Sequence, residues 1–129
     1  MDFPDQELSS KVIHAAIKVH QTLGPGFLEA VYEEALCIEL DQAGIPYERQ
    51  KSVPLTYCGK SVGEHRLDLF VSNRLVVELK ASKDLHAIHF ATVRSYLKAT
   101  DVESGLLINF ASMPLIVKRI GREWFPDRK

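Results

Sequence analysis

The sequence predicts an α/β domain in which separate helices cross a mixed sheet, in two or three layers. Three observations predict it. Apolar residues recur at helical spacing through the first third of the chain, and alternation with tight-turn signals replaces that spacing after Pro46. A helical segment of about fifteen residues then separates two apolar strands, a length suited to a crossover between parallel neighbours.

Each element follows in order. Ser9 or Ser10 is placed to cap a first helix beginning near Lys11, with Val12, Ala16, Val19 and Leu23 as its buried stripe and Ile13, Ile17 and His20 widening it. Gly24-Pro25-Gly26 breaks that helix. A second is predicted over 27–43, with Phe27, Val31, Ala35, Ile38 and Gln42 on one stripe and Leu28, Tyr32, Leu36 and Leu40 on the next. Gly44 ends it and Pro46 prevents a restart. Strands are predicted over 47–57, 62–71 and 74–81, joined by turns at Cys58-Gly59-Lys60-Ser61 and Ser72-Asn73 into an antiparallel meander. Ser82 or Asp84 caps a third helix over 85–99, and strands over 105–110 and 115–120 complete the order.

Composition narrows the function classes. A chain of 129 residues, 46% hydrophobic and 26% charged, supports one core and fits neither disordered nor low-complexity classes. No apolar run is long enough to span a bilayer, and the start, MDFPDQELSS, lacks the basic patch and apolar run of a secretory signal. Two cysteines, Cys37 and Cys58, allow one bridge at most, so the expectation is a reduced, cytoplasmic protein without membrane contact. A net charge of −1 argues against coating nucleic acid by bulk electrostatics. Residues 1–64 carry five Lys/Arg against ten Asp/Glu and residues 65–129 eleven against seven, which permits a basic face from Arg94, Lys98, Lys118, Arg119 and Arg122.

The chemistry-bearing positions lie on the second and third predicted strands. Alternation places Arg66, Asp68 and Phe70 on one face and Glu78 and Lys80 on one face of the next strand, among residues that read as buried. Buried charges must be paired or must coordinate something. One reading is a structural ion pair of Lys80 with Glu78 or Asp68. The other is a site for Mg²⁺ or Mn²⁺, for which two carboxylates are suitable hard ligands, with Lys80 beside it to orient water or offset charge at phosphorus. Glu29, in the first turn of the second helix, is either a helix-end charge or a third carboxylate; Tyr32 and Glu33 lie on neighbouring parts of the same face.

Four ordered blocks carry a resemblance. Gly26-Phe27-Leu28-Glu29-Ala30-Val31-Tyr32 resembles the signature of the small GxxExxY proteins, within the PD-(D/E)XK nuclease-like superfamily. His65-Arg66-Leu67-Asp68, nine residues, then Glu78-Leu79-Lys80 resembles that superfamily's Asp…Glu-x-Lys core; Tyr96 to Thr100 with Gly105 to Phe110, and Lys118-Arg119-Ile120, are also similar to the group. The resemblance implies a restriction-endonuclease-like domain spanning 1–129, and a Mg²⁺-dependent nuclease acting on DNA in preference to RNA. Asp68 and Glu78 would be metal ligands, Lys80 the catalytic lysine and Glu29 the helical carboxylate completing the site. A catalytically inactive module of the same fold, binding nucleic acid or a protein partner, is the alternative. Arg66, Thr92 and Tyr96 are the substrate-binding candidates. Thr92 departs from the glutamine the group commonly presents four residues before that tyrosine, and lacks its amide. So small a core makes a homodimer or an accessory protein an expected partner.

Other residues carry less. No HExxH, CxxC, G-x-S-x-G or phosphate-loop string occurs, and His86 and His89 read as surface or boundary residues. Asn109 reads as satisfying a loop at a strand end, and Trp124-Phe125 as covering the core or a partner surface.

Overall fold

The computed structural model describes residues 5–122. Trp124 and Phe125 lie outside them. The order is α1 (Gln6–Leu23), α2 (Glu29–Gln42), β1 (Tyr47–Tyr57), β2 (Lys60–Val71), β3 (Leu75–Lys80), α3 (Ala87–Thr100), β4 (Ser104–Asn109) and β5 (Ile116–Gly121). The strands form one mixed sheet in the order β1-β2-β3-β4-β5. All neighbours are antiparallel except β3 and β4, which run parallel from Leu75↔Ser104 to Lys80↔Asn109, joined through α3.

Two apolar cores cover the two faces, so the layers number three. Val12, Ala16 and Val19 of α1 and Tyr32, Leu36 and Leu40 of α2 pack on Leu69, Val77, Leu79, Leu106 and Ile108. On the other face Val93, Tyr96 and Leu97 of α3 meet Val53, Leu67, Phe70, Val76 and Leu107. At Gly105 α3 comes so near that a Cβ would lie 2.9 Å from Val93 Cγ1, so a larger residue there would have to displace α3 or its side chains.

Several details differ from expectation. α1 begins at Gln6, behind a left-handed Asp5, and Ser9 bonds Gln6 O inside the helix instead of capping it. α2 begins at Glu29, not at Phe27; its stripe Tyr32-Leu36-Leu40 is core, whereas its Val31 and Ile38 are exposed, as are Phe27 and the N-cap Leu28, the latter 77%. Two apolar stripes on one helix cannot both face a single sheet. α3 is capped at His86, whose N–H donates to His89 Nδ1, not at Ser82 or Asp84. The loop after β3 is held by Asn109, which accepts from Ser82 N and donates to Ser82 O.

Candidate active site

β2 and β3 pair only over Leu69↔Val77, Phe70↔Val76 and Val71↔Leu75. One residue further on, at Asp68 and Glu78, the strands part. Odd-numbered residues of β2 lie in the α3 core before the parting (Leu67) and in the α1/α2 core after it (Leu69, Val71), so Asp68 sits at a sharp local twist. Parting leaves Leu79 N–H without a β2 carbonyl, and Asp68 Oδ2 accepts from it at 2.8 Å. The strand divergence thus fixes the Asp68 carboxylate against the β3 backbone.

Glu78 is 7% exposed, and its Oε1 is buried with no hydrogen-bond partner among the described residues. Burial first, and then the Asp68 charge beside it, push the Glu78 carboxyl up to about 8. Burial also raises Asp68, opposed by its bond from Leu79 N. Lys80, two residues beyond Glu78 on β3, lowers both carboxyls electrostatically, but no ion pair to it closes among the described residues. The structural pairing of Lys80 with either acid is therefore absent there.

The α2 carboxylate that reaches this centre is Glu33, not Glu29. Glu29 is exposed in the first turn, whereas Glu33, one turn later, is buried and its charge acts on Asp68. Arg49 Nε holds Glu33 Oε2 at 3.1 Å, and Gln50 Nε2 donates to Glu33 Oε1 at 2.8 Å and, longer, to Asp68 Oδ1 at 3.4 Å. Gln50 occupies the left-handed region with φ of 49° inside β1, a conformation that costs a non-glycine residue about 1 kcal/mol and here turns its amide between the two acids. Tyr32 explains why α2 delivers Glu33 to this place. Its hydroxyl donates to Gly24 O at 2.7 Å and accepts from Phe27 N, and its ring stacks on Phe110 at 4.4 Å. The helix is therefore locked to the preceding turn and to the end of β4, and the next residue faces Asp68. Glycine with φ of 117° at position 26 permits that turn.

The substrate-binding candidates separate. Tyr96 is buried beside the acids, its hydroxyl donating to Arg66 O at 3.4 Å and its ring edge-on to His65 at 4.7 Å. Burial, then the Glu78 and Asp68 charges, push its phenol up to about 12. The Arg66 side chain is exposed, and Thr92 is half-buried on α3 with no contact joining it to the acids among the described residues. Glu33 and Gln50 were not assigned from sequence. The signal for Glu33 was its place beside a tyrosine on the buried stripe; for Gln50 there was none, because a left-handed residue inside a strand leaves no pattern.

Two carboxylates and a lysine thus stand in the gap between diverging strands of a three-layer mixed sheet, the α/β arrangement that the nuclease-like resemblance implies. Residues 6–120 match the model of the PD-(D/E)XK nuclease superfamily, and the chain belongs to that superfamily. Its fold is similar to that of SSO0001, with a TM-score of 0.58 at 19% identity over 74% of this chain, and the chain spans half of that protein's length. It is also similar to the alkaline exonuclease LHK-Exo from Laribacter hongkongensis, with a TM-score of 0.54 at 10% identity, covering 95% of this chain and 73% of that one. No curated protein matches the chain by sequence. No helix of the described residues is long and apolar enough to cross a membrane, and both cysteines are free, Cys37 buried and Cys58 exposed.

Proposed function

We propose that the domain is a metal-dependent nuclease of the GxxExxY group, hydrolysing phosphodiester bonds in DNA in preference to RNA. The supporting observation is Glu78 Oε1, a buried carboxylate oxygen without a partner among the described residues, beside a second carboxylate that repels it. Such an atom fits a hard cation, and Mg²⁺ is commonly held by one or two carboxylates together with substrate phosphate and water. Asp68 and Glu78 would hold Mg²⁺, or Mn²⁺ in its place. The ion supplies charge neutralisation at the phosphate and an acidified water. Lys80, on the Glu78 strand and without an ion-pair partner among the described residues, donates to the phosphate oxygens where charge develops. Glu33, fixed by Arg49 and Gln50, orients Asp68, taking the helical role that the resemblance implies for Glu29.

A second reading has its own observation. Among the described residues no group of three or more His, Cys, Asp or Glu is arranged to hold a metal. That donor count backs a non-catalytic nucleic-acid or protein-binding module more directly than it backs hydrolysis. Calorimetric titration with Mn²⁺ divides the two, run beside single-turnover cleavage of end-labelled single- and double-stranded DNA and RNA, with D68N purified in parallel. Mn²⁺ binding lost in D68N and cleavage at least ~10³-fold above the D68N background are expected for the nuclease. Cleavage no greater than that background overturns it, and nucleic-acid binding without cleavage establishes the module.

A further inference from the structure

β1 and β2 continue beyond the parting as a two-stranded arm: residues 51–57 of β1 pair with residues 60–67 of β2, and the arm folds over α3 through Val53, His65 and Leu67. Between the arm and α3 runs an open groove of about 620 Å³. One wall is Pro54, Leu55 and Thr56, and the other presents Arg94, Ser95 and Lys98. Among the described residues its lining has two cations and two hydroxyls and no carboxylate. By contrast, the groove between α1 and α2 mixes Lys11 and Lys18 with Glu7 and Glu39. Glu64, the arm's one acid, pairs in register with Pro54, but it is bonded to Ser52 Oγ and is not among the described residues that line the groove.

This groove adjoins the carboxylate centre. Ser95 in its wall lies 3.3 Å from His65 Nε2, His65 packs on Tyr96, and Tyr96 is the α3 residue that feels the Asp68 and Glu78 charges. A polyanion whose phosphate reached Lys80 would therefore meet Arg94 and Lys98 a few residues along. The acidic centre repels phosphates and needs a neighbouring cationic surface to retain them.

We propose that the arm–α3 groove is the track for the phosphodiester backbone of one nucleic-acid strand, with Arg94 and Lys98 pairing to phosphates and Thr56 and Ser95 donating to their oxygens. This rests on the nucleic-acid reading of the carboxylate site and names where the strand lies outside it. Its character is sequence-independent, because phosphate contacts position a strand and do not read bases.

Binding decides it, with chelator present so that nothing is cut. Fluorescence anisotropy of a labelled 20-nucleotide single strand is measured from low to moderate salt for the intact chain and for R94A/K98A, K98E and K11A/K18A, each checked by thermal melting. Loss of two phosphate contacts should weaken binding roughly 10- to 30-fold near 0.1 M salt and flatten the log–log salt slope by about 1.4. K98E, at an exposed position, should weaken it at least ~10-fold even if R94A/K98A fails to fold. K11A/K18A should bind as the unaltered chain does. Wild-type affinity and slope in K98E overturn the track while leaving the nucleic-acid reading intact. No binding by the unaltered chain under any salt condition overturns that reading, and the track with it.

Discussion

β2 does different work on the two sides of Asp68. From Leu69 to Val71 it has partners on both edges and side chains buried in both cores, and the closely packed β3–β4 pair beyond it accepts no added volume at Gly105. From Lys60 to Leu67 it is paired to β1 alone and leans on α3. Between the two, the backbone donor freed by the parting is taken by the Asp68 carboxylate, and one oxygen of the Glu78 carboxylate is left buried without a donor among the described residues. Fully paired sheet satisfies its polar groups with backbone and is sensitive to shape. The parted region must satisfy them with side chains or with something from outside, and is sensitive to charge.

The largest expected effect breaks that comparison on its charged side. K80A should lower the single-turnover cleavage rate by ~10²-fold or more, about 3 kcal/mol at the transition state, with a melting temperature close to that of the unaltered chain. K80R should also be impaired, since a guanidinium fork does not reproduce a point-like ammonium. A structural lysine would give the opposite pattern, lower stability with activity per folded molecule retained.

On the packed side the expected loss is of stability. A methyl group at Gly105 meets Val93 Cγ1 at 2.9 Å, Leu97 Cδ2 at 3.2 Å and the Val76 carbonyl at 3.3 Å, so either α3 or β3 must give way. G105A should cost roughly 2 kcal/mol, on the order of 8 °C in melting temperature. Cleavage per folded molecule should change much less than in K80A. Differential scanning calorimetry checks this, and a melting temperature within a degree of wild type would show that α3 shifts freely.

How much of this was legible follows the same division. Residues 47–57 were read as a strand and are one, because alternation and flanking turns are local signals. Asp68, Glu78 and Lys80 drew notice because charges in apolar strands are costly wherever they occur. That Glu33 is the α2 acid whose charge acts on Asp68, while Glu29 is exposed, was not legible. It depends on Tyr32 locking α2 to the Gly24 carbonyl and to Phe110, a contact across most of the chain. Nor was Gln50, since a left-handed residue inside a strand leaves no pattern in the sequence. Exposure of the Phe27-Val31-Ile38 stripe was equally hidden, since helical spacing does not say which of two apolar stripes meets the sheet.

A smaller effect concerns pH. Glu78 is pushed up to about 8 by burial and by Asp68, so between the ordinary carboxylate range and pH 8 the folded chain binds more protons than the unfolded one. The contribution is fully present below that range and is lost as pH rises toward 8. With chelator present, stability should therefore fall from pH 5 to pH 8. E78Q, neutral throughout, should flatten the decline and exceed the unaltered chain at pH 8 by about 1–2 kcal/mol. Urea denaturation at the two pH values measures it. Identical slopes for both proteins would mean that Glu78 is not the group responsible.

The smallest effect separates Glu29 from Glu33 on α2. Glu33 reaches Asp68 only through Gln50 and its own charge, so E33Q should lower cleavage by about tenfold and raise the Mn²⁺ concentration needed for half-maximal rate. Glu29 is exposed and makes none of those contacts among the described residues, so E29Q should stay within twofold in rate and about 0.5 kcal/mol in stability. A loss of stability in E33Q without a changed Mn²⁺ requirement would make Glu33 a structural partner of Arg49 and nothing more. If instead E29Q shifts the Mn²⁺ requirement and E33Q does not, the helical carboxylate belongs one turn earlier. The N-terminal turn of α2 would then have to close over the parted strands when the ion and the phosphate arrive.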